Sequence, residues 1–425
     1  MLLYLRRLFV ALLVVPFLCV SVFAQAPSTN QHWPQYRGPL GNGHVIVDSS
    51  LPVEINDRTV KWKTPIPGRA WSSPVVWGNQ IWLTTADEDG GRMSLMCVDL
   101  KTGSILHDFV VQENDDPAFC HPMNSYASCT PVIEQGRIYV HFGCYLTACF
   151  DTATGKALWR REDLECDHHR GPASSPIVHD GKLFVAYDGY DQQYVIALDK
   201  QTGETVWKRN REIEYGTDDG DRKKAYCTGA IIRVGGKDQL VYPSAVATIA
   251  YDPSNGDTLW TVYHGGMNAS ARPIFDGQRV FLTNGMGAMV AALPGEIDAA
   301  DRARVQWESQ KQIAKKSSPL LIDDLLYFGA DNGVLSARDA ATGKIVWLKR
   351  ANVEFAASPV FAGGRIYFCA RDGSIFTLKP GRQFQQLARG HLGSGFMASP
   401  AIVPDGMVLR GKEYLYLVTS KKASN

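Results

Sequence analysis

One nine-residue pattern constrains this chain more than any other feature. It reads Asp151-Thr-Ala-Thr-Gly155-Lys-Ala-Leu-Trp159, Asp199-Lys-Gln-Thr-Gly203-Glu-Thr-Val-Trp207, Asp252-Pro-Ser-Asn-Gly256-Asp-Thr-Leu-Trp260 and Asp339-Ala-Ala-Thr-Gly343-Lys-Ile-Val-Trp347. Degenerate copies run from Asp99 through Gly103 to Leu106 and from Leu378 to Leu387, and the copy ending at Trp307 carries an insertion. The pattern has a mechanical reading. The Asp side chain caps the backbone of the turn it opens, and Gly supplies the positive φ that a tight hairpin requires. The Trp on the outgoing strand then offers a large apolar surface to a neighbouring unit.

A second landmark recurs ahead of each hairpin: Ser73-Pro74, Thr130-Pro131, Ser175-Pro176, Gly229-Ala230, Arg272-Pro273, Ser318-Pro319, Ser358-Pro359 and Ser399-Pro400. Pro suits the first residue of a strand and is excluded from its middle. Each landmark is followed by a short apolar run, a turn and a second β-rich run, as in Val75-Val76-Trp77 and Ile81-Trp82-Leu83. Each unit therefore reads as four strands with a Thr-Gly turn between the third and fourth. The eight outgoing strands centre on Trp62, His107, Trp159, Trp207, Trp260, Trp307, Trp347 and Leu387. The unit starting at Pro400 lacks an outgoing strand, whereas Trp62 precedes any complete unit. Trp62 is therefore expected to complete the last unit, joining the two ends of the chain and leaving no long free edge. The fold class predicted is all-β: a single eight-bladed β-propeller of four-stranded blades, closed by an N-terminal strand.

The repeat resembles the pyrroloquinoline-quinone (PQQ) repeat superfamily from about residue 61 to residue 420. That group contains quinoprotein alcohol dehydrogenases and the propeller lipoprotein of the bacterial outer-membrane barrel-assembly machinery. The opening Trp33-Pro-Gln-Tyr-Arg-Gly-Pro39 also looks like exported bacterial propellers of this group. The resemblance implies the fold closely and the function loosely, because one scaffold hosts many roles.

Arg6 and Arg7 precede an apolar run from Leu8 to Val20, followed by Val22-Phe23-Ala24, which is the layout of a secretory signal. Cleavage is expected after Ala24 or Ala26, giving a signal peptide at 1–24, an N-terminal extension at 25–59, the propeller at 60–420 and a tail at 421–425. An uncleaved anchor is the competing reading, and Leu18 makes Cys19 a poor lipid acceptor. Localisation is then the periplasm or cell envelope of a bacterium, with no membrane span after cleavage. Eight cysteines remain beyond Cys19, five of them between Cys120 and Cys166, which predicts at least one local disulfide there. With 44 Lys plus Arg against 43 Asp plus Glu and no dense basic run, no nucleic-acid partner is expected.

In this strand order the incoming loops share one face and the Thr-Gly turns the other. The incoming loops of blades two to four are long: His107 to Cys129, Arg160 to Ser174 and Lys208 to Thr228. Residues just before each strand start should ring the channel mouth: Trp71, Tyr126, Arg170, Tyr226, Asn268, Lys315, Phe355 and Phe396. Such a ring suits an anionic or planar ligand, or else plugs the channel. The candidate ligand-binding residues are Trp71, His121, Asn124, Tyr126, His168, Arg170 and Tyr226, and no catalytic residue is assigned. His121, His141, His168 and His169 with Cys166 and Asp167 suggest a metal, but adjacent imidazoles in an extended segment point opposite ways, so no metal site is assigned.

Quinoprotein dehydrogenases, by resemblance, stack their cofactor between a Trp and a disulfide of adjacent cysteines, with calcium on acidic and amide side chains. No two cysteines are adjacent here, and no catalytic Asp or calcium ligand can be matched. No cofactor is therefore expected, PQQ being the one candidate. The reading is a monomeric, non-catalytic binding or scaffold module that meets an envelope protein or small-molecule ligand on its incoming-loop face. The alternatives are a PQQ-dependent dehydrogenase-like oxidoreductase and an outer-membrane protein assembly component.

Overall fold

The computed structural model describes residues 32–45 and 51–420, so the signal segment, Cys19 and the C-terminal tail lie outside the described residues. The described chain forms eight four-stranded antiparallel sheets arranged as blades. Blade 1 comprises Val75–Trp77, Gln80–Ala86, Arg92–Asp99 and Ile105–Glu113, and the next six repeat that order. In blade 8, Ala401–Val403, Gly406–Arg410 and Tyr414–Val418 are completed by Val60–Pro65, with Trp62 opposite Leu417 and Thr64 opposite Leu415. The ring is closed as the strand count requires. No helix among the described residues is long and apolar enough to cross a membrane.

Each part of the nine-residue pattern has a contact that explains it. Asp199 Oδ1 accepts from the backbone N–H groups of Gln201 and Thr202 at 2.8 and 2.9 Å, and Gly203 turns the chain at φ 77°. The outgoing tryptophan packs on the next blade's turn glycine. A methyl group on Gly203 would lie 2.7 Å from Trp159, and Gly103, Gly256 and Gly343 stand likewise against Trp62, Trp207 and Trp307. Trp159 Nε1 donates to the carbonyl of Lys200, one residue past the repeat Asp, at 3.0 Å; Trp62 and Trp307 make the same bond to Leu100 and Ala340. The indole thus rivets adjacent blades, with its polar atom satisfied.

The exceptions follow the sequence. Phe109, two residues beyond His107, packs on Gly155. Trp260 faces the blade whose turn carries the insertion, so it finds no glycine. It is fully buried and donates to Gln239 Oε1 at 2.8 Å.

The Ser-Pro landmark also acquires a mechanism. The backbone N–H of Ser73 donates to Thr130 Oγ1, that of Thr130 to Ser175 Oγ, and that of Ser175 to Thr228 Oγ1. Arg272 then donates to Ser318, Ser318 to Ser358, Ser358 to Ser399 and Ser399 to Ser73, all seven bonds being 2.9–3.1 Å. Thr228-Gly229, one residue earlier than the Gly229-Ala230 expected, is therefore the fourth landmark. The belt lacks its eighth hydroxyl only where Arg272 stands.

Arg272 is used otherwise. Residues 33–44 fill the channel centre from the Thr-Gly side, a feature sequence reading did not anticipate. Trp33 pairs with Val76, Ile133 donates to the Pro34 carbonyl, Phe361 donates to the Gly43 carbonyl, and Arg272 Nη1 donates to the Tyr36 carbonyl at 2.7 Å. Tyr36 Oη reaches the belt at Ser358 Oγ, 2.9 Å away.

The expected local disulfide is not formed. All eight described cysteines are unpaired. They are distributed over separate strands and loops, and burial pushes the Cys120 and Cys144 thiols up to about 11.

Candidate functional site

The channel mouth on the incoming-loop face is built by the three long loops, each braced by its own polar contacts. Arg211, buried at the root of the third, makes a two-pronged bond to Asp188 at 2.8 and 2.6 Å and also donates to the carbonyls of Tyr242 and Pro243. Arg170 grips Asp221 at 2.6 and 2.7 Å, tying the second loop to the third. Asn124 Nδ2 donates to the carbonyls of Arg170 and Pro172, tying the first to the second, and Arg69 Nη2 donates to the Asn124 carbonyl at 2.7 Å. Together these contacts hold the mouth open as a funnel.

The funnel has two connected chambers. The upper, about 300 Å³, is lined by His121, Met123, Asn124, Arg170, Tyr226, Asn268, Ser270, Met286, Lys315 and Lys316. The lower, about 140 Å³, rests on the hydroxyl belt and shares Asn124, Tyr226, Ser270 and Lys316 with the upper. Its wall follows a simple rule: the residue two before each belt position, one per blade. These are Trp71, Ser128, Ala173, Tyr226, Ser270, Lys316, Ala356 and Met397.

The structure thus gathers five of the seven candidate residues, Trp71, His121, Asn124, Arg170 and Tyr226, around one funnel. Tyr126 and His168 stand outside it, on a separate cavity of about 210 Å³ with Cys144 and Tyr145. Tyr126 is buried and donates to the Ala118 carbonyl at 2.7 Å, while the His168 ring packs against His141 and Tyr187. Burial, reinforced by Lys224 and His141, holds the His168 imidazole well below its usual pKa. The neighbouring His169 lines the same cavity and packs against Tyr190, 5.2 Å between ring centres. Phe355 and Phe396, expected at the mouth, are fully buried in the hydrophobic core. The expectation counted back a variable distance from each strand start. The fixed distance of two residues selects Ala356 and Met397 in their place.

Among the described residues no Asp or Glu lines either chamber. Calcium needs several hard oxygen ligands, usually including carboxylates, so these residues do not fit a calcium-held quinone. The walls offer cations, hydroxyl and amide donors, and apolar thioether and indole surfaces.

Comparison with known proteins places the chain. A family described as outer membrane protein assembly factor BamB matches residues 191–333 and 294–383. The BamB of Moranella endobia is 28% identical over 218 residues, 48% of this chain and 53% of that protein, so the match spans about half of that relative's length. The BamB of Yersinia pestis is 22% identical over 319 residues, covering 70% of this chain and 77% of its own. A solved europium-containing methanol dehydrogenase superposes with a TM-score of 0.67 at 14% identity, covering 91% of this chain and 90% of the other. That likeness is one of fold. With its repeat and its eight-bladed ring, the chain is a β-propeller of PQQ-like repeats, similar over part of its length to the BamB family.

Proposed function

We propose that this chain is an exported, non-catalytic binding or scaffold propeller of the bacterial cell envelope that engages its partner on the incoming-loop face. The observation that carries this reading is the contrast between the two faces. One presents an open funnel with cationic, donor-rich and apolar walls and no carboxylate. The other repeats one Asp-capped turn geometry around the ring. Loops positioned by a rigid scaffold are where binding surfaces arise. The relatives named as outer membrane protein assembly factors support an envelope setting and, more narrowly, a partner among envelope assembly proteins.

The test is photo-crosslinking in cells, with the reactive side chain placed at His121 or Lys315 on one face and at Lys156 or Lys344 on the other. Protein adducts should form from the first pair and not from the second. Adducts from the Thr-Gly positions alone would refute the reading.

A further inference from the structure

The floor of the funnel has an unused chemistry. In the belt, the hydroxyl oxygens of Ser73, Thr130, Ser175, Thr228 and Ser399 each accept a backbone N–H from the preceding blade. Each of the five O–H protons has no acceptor among the described residues. All five side chains belong to residues no more than 3% exposed, and all five line the lower chamber. A buried hydroxyl donor without an acceptor carries a desolvation cost. Five of them around one axis form a donor ring that a single acceptor-rich group can satisfy.

The charges around the ring select the sign of that group. Above it, Lys316 lines both chambers and makes no ion pair or hydrogen bond among the described residues. Below it, Arg37 and Arg272 are buried with only neutral partners: Arg272 donates to the Tyr36 carbonyl and Gln35 Oε1, and Arg37 Nη2 to the Asn42 carbonyl. Among the described residues neither guanidinium forms a salt bridge, and Arg37 Nε, Arg37 Nη1 and Arg272 Nε are buried without partners. A guanidinium stays protonated, so the ring sits in a positive potential from both sides. Hydrogen bonds to an ionised acceptor are about twice as strong as neutral ones. The upper wall then turns apolar at Met123, Met286 and the Tyr226 ring.

We infer that the funnel is a binding site for a small organic carboxylate, its anionic head on the hydroxyl ring and its apolar body in the upper chamber. This rests on the reading of the incoming-loop face as the binding face and names what that face takes. The apolar surface of Met123, Met286 and Tyr226 favours an organic body over a fully hydrated inorganic anion, which leaves that surface unused.

Calorimetric titration of the full chain with hexanoate, hexanamide and inorganic phosphate tests it. Hexanoate should bind, and hexanamide should bind about tenfold more weakly, as expected when hydrogen bonds to a charged group are lost. Lys316→Gln, on the rim, should weaken hexanoate several-fold and leave hexanamide unchanged. Thr130→Val should do the same if it folds, and Lys316→Gln decides the matter if it does not. Equal binding of hexanoate and hexanamide, no binding of either, or phosphate binding as tightly as hexanoate would each overturn the assignment. Crosslinks from the incoming-loop face without hexanoate binding would remove this inference and leave the proposed function standing. Hexanoate binding with crosslinks only from the Thr-Gly face would do the reverse.

Discussion

The tryptophan-on-glycine contact sets the energetics at the level of single residues. Trp159 and Trp207 are buried and Trp260 fully so, whereas Trp347 is half-buried. Ala at Trp159, Trp207 or Trp260 should cost about 3–5 kcal/mol, read from urea unfolding, and Ala at Trp347 clearly less. Gly203→Ala attacks the same joint from the other side. Its methyl would lie 2.7 Å from the Trp159 ring at a backbone φ of 77°, so roughly 1–3 kcal/mol of overpacking adds to the backbone strain. The repeat carboxylates predict a pH response. Hydrogen bonds from Thr202 and Gln201 hold Asp199 below the usual range, and those from Thr154 do the same for Asp151. Their folded pKa values are depressed, so their stabilisation is fully present above the unfolded value of about 4 and is lost as pH falls through the folded one. Asp199→Asn should therefore flatten the decline of melting temperature in that acid window while leaving the neutral-pH fold intact.

Among the elements, the closing strand and the channel segment divide the N-terminal region into two roles. Val60–Pro65 completes blade 8, and its loss would leave Tyr414–Val418 as an open edge. Removing residues 1–65 should abolish the cooperative thermal transition. Removing residues 1–45 spares that strand and takes out Trp33, which is 1% exposed. The shorter deletion should keep a single transition at lower stability, by about 3–5 kcal/mol on the scale of a lost buried Trp. A melt of the 1–65 deletion that matches the full chain would refute the closure model. Arg272 couples the segment to the ring. Arg272→Ser removes the donor to the Tyr36 carbonyl, so limited proteolysis should cleave near Tyr36 faster in the variant than in the parent chain.

Across the whole molecule, local and distant contacts play different parts. Within each blade the pairing is between strands adjacent in sequence, whereas closure joins Val60 to Val418. Local pairing carries little loop-closure cost, and the terminal pairing carries most of it. The ring creates the funnel as well, since its floor takes one hydroxyl from each of several blades and its mouth takes three loops distant in sequence. The same geometry explains the free cysteines. Clustering between Cys120 and Cys166 in sequence does not bring their sulfurs together once each strand is fixed in its blade. In denaturant without reductant, all eight described thiols should react with a thiol reagent, and few in the native protein.

The sequence alone determined the blade number, the turn chemistry and the closure, because each depends on short-range rules. Asp caps its own turn, Gly adopts positive φ, and Pro opens a strand, all within nine residues or so. It also pointed to the long incoming loops, and five of the seven candidate residues drawn from them and their neighbours line one funnel, since long loops with varied side chains are visible without coordinates. Only the tertiary structure decided that Tyr126 and His168 belong to a side cavity, that Phe355 and Phe396 are core, and that residues 33–44 fill the channel. The physical reason is that these outcomes depend on which way a loop residue turns against a neighbouring blade, and that neighbour is set by the ring rather than by the local chain. The donor ring belongs to the same class. Each Ser or Thr is an unremarkable residue before a Pro or Gly, and convergence on one axis is a property of eight blades together.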